Sequence, residues 1–456
     1  MITPDEQTGE VSDSIGIKDL FFLNKNRRPK WRVPREYVRP QDAQEYRKQL
    51  VRSGFITPDD IRRFNQDNSL PEGALKRLRL DLEHLLNSEI SPLSNASFVD
   101  RLYQFDTDAK YYQNSYYRFQ WIFILGAFLT TLFSVVAAMS NQIDPSGIFA
   151  GVAWAVTAVC GVGTAVATAL NQSRRPQLRW YVNRRKAEAM RRHYYLFVMR
   201  AEPYSGETAA RRAKLAEVIT QIENIGSSLN TDEAQKAAVV TPETHPIPAD
   251  QRLANDELEF LTYIYRERRL QQQVGWYRTR KREFEFNSDF AMLVSAVLVS
   301  TTGIFSGLAG LTNNPFLFLI TTALPALAAA FAAFHQVYGW DRQRRVYDDT
   351  IAQLRAASMK LNQGEGTERK TNFLNAIQKS EEVFASESDQ WGQGLIDREM
   401  ATLDAQASDE QILTMIQNSA LPPETKQQIS TILKSDPGTS PPITPPQPDN
   451  PVIPTS

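Results

Sequence analysis

Cysteine and histidine are nearly missing from this sequence. One cysteine, Cys160, and four histidines, His84, His193, His245 and His335, stand far apart in 456 residues. A disulfide framework needs paired cysteines, and a structural or catalytic metal needs Cys, His or acid ligands at close spacing. Neither pattern is present, so no metal and no cofactor is expected. There is no glycine-rich phosphate loop behind a strand and no nucleophile elbow. Gly161-Val162-Gly163 has a loop-like composition, but it lies inside an apolar run. A net charge of -1 gives no whole-chain attraction to nucleic acid. Met1-Ile2-Thr3-Pro4-Asp5-Glu6 has no basic segment leading into an apolar core, so a cleaved signal peptide is not expected. No catalytic residue is assigned, and the expectation is that the chain is not an enzyme.

Charge itself is missing from two long stretches. Phe119–Ile143 and Pro145–Ser173 contain no Asp, Glu, Lys or Arg and are separated by Asp144 alone. Phe290–Trp340 is likewise uncharged and is interrupted by Thr312-Asn313-Asn314-Pro315. A helix of about 20 apolar residues crosses a bilayer, so each stretch reads as two spans joined by a short turn. The fold class expected is all-α and integral to the membrane, with four transmembrane helices in two hairpins. The first span is bulky (Ile122, Phe123, Phe128, Leu129, Phe133) and is expected to face lipid. The second is rich in Gly and Ala and is expected to face other helices or a central axis, since small residues allow close approach in lipid.

The polar remainder sorts its charge around these spans. Arg174, Arg175, Arg179, Arg184, Arg185, Lys186, Arg191 and Arg192 follow the first hairpin, and Arg278, Arg280, Lys281 and Arg282 precede the second. The apolar face of 178–197 suggests that the helix continues straight out of the bilayer. Positive flanks stay on the cytoplasmic side, so both termini are expected to be cytoplasmic, in a plasma (inner) membrane with an anionic inner leaflet as partner. Lys25, Arg27, Arg28, Lys30, Arg32, Arg35 and Arg39 surround Trp31 and Tyr37, a composition suited to anionic lipid more than to nucleic acid. Tyr116, Tyr117 and Trp121 sit where an interfacial aromatic belt belongs.

The expected organisation is an N-terminal arm and small helical module (1–95), a first two-helix transmembrane repeat with cytoplasmic helices (96–228), a linker (229–250), a second such repeat (251–395), C-terminal helices (396–435) and a Pro-rich tail (436–456). Thr57-Pro58-Asp59-Asp60 signals a helix start in the module, and Leu75, Leu78, Leu82 and Leu85 form an apolar stripe. The repeat rests on Trp180-x3-Arg184-Arg185-x2-Glu188, which recurs as Trp340-x3-Arg344-Arg345-x2-Asp348, with Leu215 and Glu223 answered by Leu374 and Glu382. Both hairpins run in the same direction, so the repeats are parallel.

A Tyr-rich approach, a hairpin, Trp180-Tyr181-x2-Arg184-Arg185-x-Ala187-Glu188, then Tyr194-Tyr195-Leu196-Phe197 together resemble the SLATT domain, a SMODS- and SLOG-associating two-transmembrane effector. Glu381-Glu382-Val383-x5-Asp389-Gln390-Trp391 resembles that family's closing helix. The likeness covers roughly 100–225 and 255–395 and is clearer in the first copy. In the second, Asp341 and Val346 replace Tyr181 and Lys186, and the Tyr-Tyr pair is missing. The resemblance implies a pore-forming or membrane-perturbing effector.

Without ionisable residues in the spans, a conduit would be lined by hydroxyls and small residues. Candidates are Thr157, Thr164, Thr168 and Asn171 in the second span, spaced along one helix face, with Ser295, Thr302 and Ser306 in the third. The alternative is that they bind helices together. Arg184, Arg185, Arg344 and Arg345 are candidate lipid- or mouth-facing bases. Gly303 and Gly307 suit close helix packing, Pro325 a kink, and His335 a pH-sensitive gate. Four helices rarely enclose a water path, so a channel implies a homo-oligomer. A non-conducting scaffold that binds a cytoplasmic signalling partner is the alternative.

Overall fold

The computed structural model describes residues 15–25, 27–67, 71–88, 96–143, 147–225, 255–312, 314–387 and 390. The turn at Asp144, the linker 229–250, Trp391, the helices expected within 396–435 and the tail 436–456 lie outside these residues. Three short helices, α1 (Ala43–Arg52), α2 (Pro58–Asp67) and α3 (Glu72–Asn87), form the N-terminal module. At the start of α2, the backbone N–H and hydroxyl of Thr57 both donate to Asp60 Oδ2 at 2.9 Å.

The first repeat consists of α4 (Phe98–Ile143), α5 (Ile148–Arg174), α6 (Pro176–Val198) and α7 (Thr208–Asn224). The second consists of α8 (Asn255–Tyr265), a π-helical turn (Arg266–Gln271), α9 (Gln272–Thr312), α10 (Pro315–Tyr338), α11 (Trp340–Lys360) and a final helix α12 (366–387). The described residues contain no strand, and four of these helical stretches are long and apolar enough to cross a membrane. The chain is a multi-pass membrane protein. α4 alone, at about 1.5 Å per residue, is roughly 70 Å long, so it passes from a polar body through a whole span.

The helices do not continue straight out of the second and fourth spans. Pro176 disfavours the right-handed helical region for the residue before it, and Arg175 takes the left-handed conformation (φ 43°, ψ 51°) between α5 and α6. Gly339 does the same between α10 and α11 (φ 58°, ψ 37°), where the missing Cβ removes the penalty. Each left-handed residue still donates its N–H to a carbonyl four residues back, Asn171 and His335 respectively.

In the membrane half, α5 packs on α4, α4 on α10 and α10 on α9, giving the row α5–α4–α10–α9. This departs from the lipid-facing role expected of the first span. The bulky α4 is central because its aromatic face binds α10, whereas the small residues of α5 are mostly uncovered. An added Cβ at Gly151, Gly161 or Gly163 would meet nothing within 4 Å. α4 and α5 close tightly at one point, where a Cβ on Gly126 would lie 2.2 Å from Thr164 Oγ1.

In the body, one hydrophobic core takes Phe55, Ile56 and Leu82 from the module, Tyr194, Tyr195 and Leu215 from the first repeat, and Tyr265, Tyr347 and Leu374 from the second. The module and the two repeats therefore share a core and do not fold around separate ones.

Candidate functional site: the junction of the two hairpins

The two hairpins meet through aromatic side chains at helical spacing. Tyr117 and Trp121 share one face of α4, and Phe334 and Tyr338 one face of α10. Trp121 Nε1 donates to the Tyr338 hydroxyl at 3.0 Å. Tyr117 stacks on Tyr338 with ring centroids 4.8 Å apart, and Trp121 meets Phe334 at 5.0 Å. The turn at Gly339 folds Trp340 back onto Tyr338, 5.4 Å away and nearly parallel. Tyr116, Tyr117 and Trp121 thus join helices and do not form a purely lipid-facing belt.

A strap from the N-terminal arm completes this junction. Residues 15–25 and 27–39 include a short 3-10 turn (Ile17–Asp19) and run along α4 towards α1. Phe21 is buried, with ring centroids 5.1 Å from Phe334, 5.2 Å from Trp340 and 5.6 Å from Tyr338. Its N–H donates to Asn287 Oδ1 at 2.7 Å, and Asn287 Nδ2 donates to the Asp19 carbonyl at 3.3 Å. Arg27 forms a two-point ion pair with Glu283, which also accepts from Arg280 at 2.9 Å. Farther along, the Lys30 backbone exchanges two hydrogen bonds with Asn114, and Gln104 bridges Tyr37 and Arg35. The basic composition of 25–39 concealed this role. The signal that could have revealed it was the apolar run Leu20-Phe21-Phe22-Leu23 ahead of the bases.

Beside the strap, Ser288 Oγ donates to Asp341 Oδ1 at 2.8 Å and lies 3.1 Å from His335 Nε2, while His335 Nε2 is 3.3 Å from Asp341 Oδ2. In a hydrolytic triad the carboxylate and the hydroxyl occupy opposite ring nitrogens. Here both face one nitrogen, so Asp341 cannot orient His335 as a base towards Ser288. The cluster ties α9, α10 and the start of α11 together.

Buried charge links the repeats within the body. Arg269, on the π turn, makes a bidentate pair with Glu381 of α12 at 3.0 and 2.8 Å and lies over the Tyr195 ring of α6. Its neighbour Arg268 pairs with Asp60 of α2. The wider π turn presents consecutive arginines to different elements. Arg184 is buried and lies 3.5 Å from Glu387. Glu188 pairs with Arg191 at 2.7 Å. Burial opposes the charge on Glu188, but the guanidiniums of Arg191, Arg269 and Arg184 outweigh it and hold the carboxyl at about 2. Arg184, Glu188, Arg191 and Glu387, with Gln273, Trp276, Tyr277 and Phe384, line a cavity of about 20 Å³, room for about one water. The first repeat closes on a related pair, Arg101 with Glu223 at 2.7 Å. The buried counterpart in the second is Glu381, not the Glu382 that sequence spacing suggested; Glu382 lies outward and pairs with Lys379.

The expected pore-lining residues do not converge on one path within the chain. Thr157, Thr164, Thr168 and Thr302 each donate to a carbonyl four residues back on their own helix. Thr164 faces Gly126 of α4, and Ser295 donates across to the Ala328 carbonyl of α10 at 3.3 Å. Thr168 and Ser306 are exposed, and Asn171 Oδ1 is buried without a partner among the described residues. Among the expected mouth-facing bases, Arg184 is a correction. It is buried because α6 turns it towards α12. Arg185 and Arg344 are half-buried, Arg344 lying 3.7 Å from Glu285, and Arg345 is exposed. Added Cβ atoms at Gly303 and Gly307 would meet nothing within 4 Å, so these glycines serve no packing inside the chain. α10 continues as helix through Pro325.

Comparison with known families matches each repeat separately. Residues 100–212, covering α4, α5, α6 and the start of α7, match a family described as a protein of unknown function (DUF4231). No curated protein and no solved structure matches the chain. Residues 265–391, from the end of α8 through α12, match SMODS and SLOG-associating 2TM effector domain 1. This match lies on the second copy, where the resemblance read from the motifs is fainter. With its Arg269–Glu381 clasp, the α9–α10 hairpin and the α11–α12 pair inside those bounds, the chain is a membrane protein containing a SLATT domain.

Proposed function

We propose that this protein is an oligomeric pore-forming effector of the plasma (inner) membrane, gated through its helical body. The observation that carries the reading is the row α5–α4–α10–α9. A single row encloses no water path, and its outer helices α5 and α9 leave Thr168 and Ser306 uncovered. Several copies would bring such hydroxyl-bearing faces together around an axis. The basic flanks of both hairpins support a cytoplasmic body and cytoplasmic termini. The body is rigidly tied to the spans through α4 and α9, so a cytoplasmic signalling partner acting there would reach the junction directly. The proposal involves no catalytic step.

A second reading, a non-conducting scaffold, is favoured by Thr164 and Ser295, which turn towards neighbouring helices of the same chain. Oligomeric mass in detergent, followed by dye and ion flux from liposomes, separates the two. Flux from a defined oligomer, reduced by Thr168→Phe or Ser306→Phe, supports the pore. A monomer in sealed liposomes, with and without cytosolic extract, supports the scaffold.

A further inference from the structure

The strap has two unlike faces. Inward, Leu20 and Phe21 are buried and Arg27 is paired with Glu283. Outward, Ile17, Leu23 and Trp31 are large apolar side chains at 72%, 48% and 85% exposure. Lys18, Lys25, Arg28, Lys30 and Arg32 alternate with them and are also exposed. None of these five bases has a carboxylate partner among the described residues. In an aqueous environment this face would be costly, because a fixed Trp side chain gains nothing there.

The height of the strap identifies what meets this face. Phe22 touches Phe290, the first residue of the second uncharged stretch, at 5.9 Å between ring centroids. Arg118 Nη1 donates to the Trp31 carbonyl at 3.4 Å, and Arg118 immediately precedes Phe119, where the first uncharged stretch begins. Residues 17–25 and 27–32 therefore lie level with the polar ends of two spans, the depth of lipid headgroups. Tryptophan favours that depth, and exposed bases are attracted there by anionic lipid.

We propose that residues 17–25 and 27–32 form a binding surface for anionic phospholipid headgroups, built on the same segment that wedges Phe21 between the hairpins. Ile17, Leu23 and Trp31 enter the interface, and the five unpaired bases select anionic over zwitterionic lipid. The proposal rests on the membrane reading of the spans, but it needs neither conduction nor a cytoplasmic orientation.

The test uses the full chain with Cys160→Ser and Trp31→Cys, carrying an environment-sensitive dye, in nanodiscs. One set holds phosphatidylcholine alone, the other phosphatidylcholine mixed with phosphatidylglycerol. Quenching of the dye by spin-labelled lipid is expected to rise several-fold in the anionic discs and to fall back at high salt. Replacing Lys18, Lys25, Arg28, Lys30 and Arg32 by Gln should abolish the difference. Leu23→Cys provides a second reporter position. Equal quenching in both lipids, or none in either, overturns the proposal. Both leaflets of a disc have the same composition, so a negative result cannot come from a mistaken orientation. Flux and topology assays test the pore reading separately.

Discussion

The two repeats share a plan, yet equivalent residues meet different fates. Trp180 lies five residues beyond the break at Arg175, whereas Trp340 follows Gly339 directly. Trp180 is enclosed by Tyr116, Tyr117 and Tyr181 of its own repeat, with centroids 5.0–6.0 Å away. Trp340 is covered by Phe21 of the strap and by Tyr338. Arg184 is buried against Glu387 of the other repeat, and its counterpart Arg344 is half-exposed beside Glu285. A repeated motif therefore preserves a helix and its direction. Its burial depends on what the rest of the chain places beside it.

The largest expected effect breaks the comparison at the body clasps. Arg269→Ala leaves Glu381 buried without its bidentate partner and should cost about 3–5 kcal/mol. Arg101→Ala removes the matching partner of Glu223, but Arg101 is partly exposed and Lys186 lies nearby, so about 1–3 kcal/mol is expected. Thermal unfolding of each variant in detergent should rank them in that order, and equal losses would make the clasps equivalent.

Phe21→Ala tests the two tryptophans. It removes a buried aromatic ring worth about 3 kcal/mol locally and should release the strap. Limited proteolysis within 22–39 should accelerate, with Trp340 becoming accessible to acrylamide while Trp180 stays protected. Unchanged cleavage would mean that the Arg27, Asn114 and Gln104 contacts hold the strap alone.

Glycines sharpen the contrast between covered and open spans. Gly126→Ala must displace Thr164 and should destabilise by about 1–3 kcal/mol, with Thr164→Ala restoring much of the loss. Gly307→Ala points into open space in the single chain and should change monomer stability by less than about 0.5 kcal/mol. A loss of oligomer in Gly307→Ala with unaltered monomer stability would place α9 at a contact between copies.

A pH dependence is expected to arise in the first repeat. Burial, then Arg192 and Lys214, lower His193 to about 3 from 6.5, and Tyr204 bonds its Nδ1 at 2.9 Å. The unfolded chain binds the proton more readily, so this contribution is fully present above pH 6.5. It is lost as pH falls towards about 3. His193→Gln should flatten the stability profile in that window, as read from melting temperatures at stepped pH.

Some of these features were legible in the sequence and others were not. The four spans, the module helices and the buried stripe Leu78, Leu82 and Leu85 follow from periodicity and composition. The end of α5 was missed because the apolar face of 178–197 runs on past Pro176. The strap was missed because four apolar residues precede a dense basic cluster. The junction cluster is only half visible: Tyr117 and Trp121 read as interfacial aromatics, but their partner Tyr338 is more than two hundred residues away.

By itself the sequence determined that the chain crosses a membrane four times in two parallel hairpins. Uncharged runs longer than a bilayer, bounded by basic flanks, permit little else, and that signal is local. Only the tertiary structure decided which span is central, which arginine is buried and where Phe21 lies. In lipid an apolar helix face is equally soluble on every side. Its neighbours are therefore chosen by specific contacts such as the Trp121–Tyr338 hydrogen bond and the Gly126–Thr164 approach, between residues whose pairing no local pattern records.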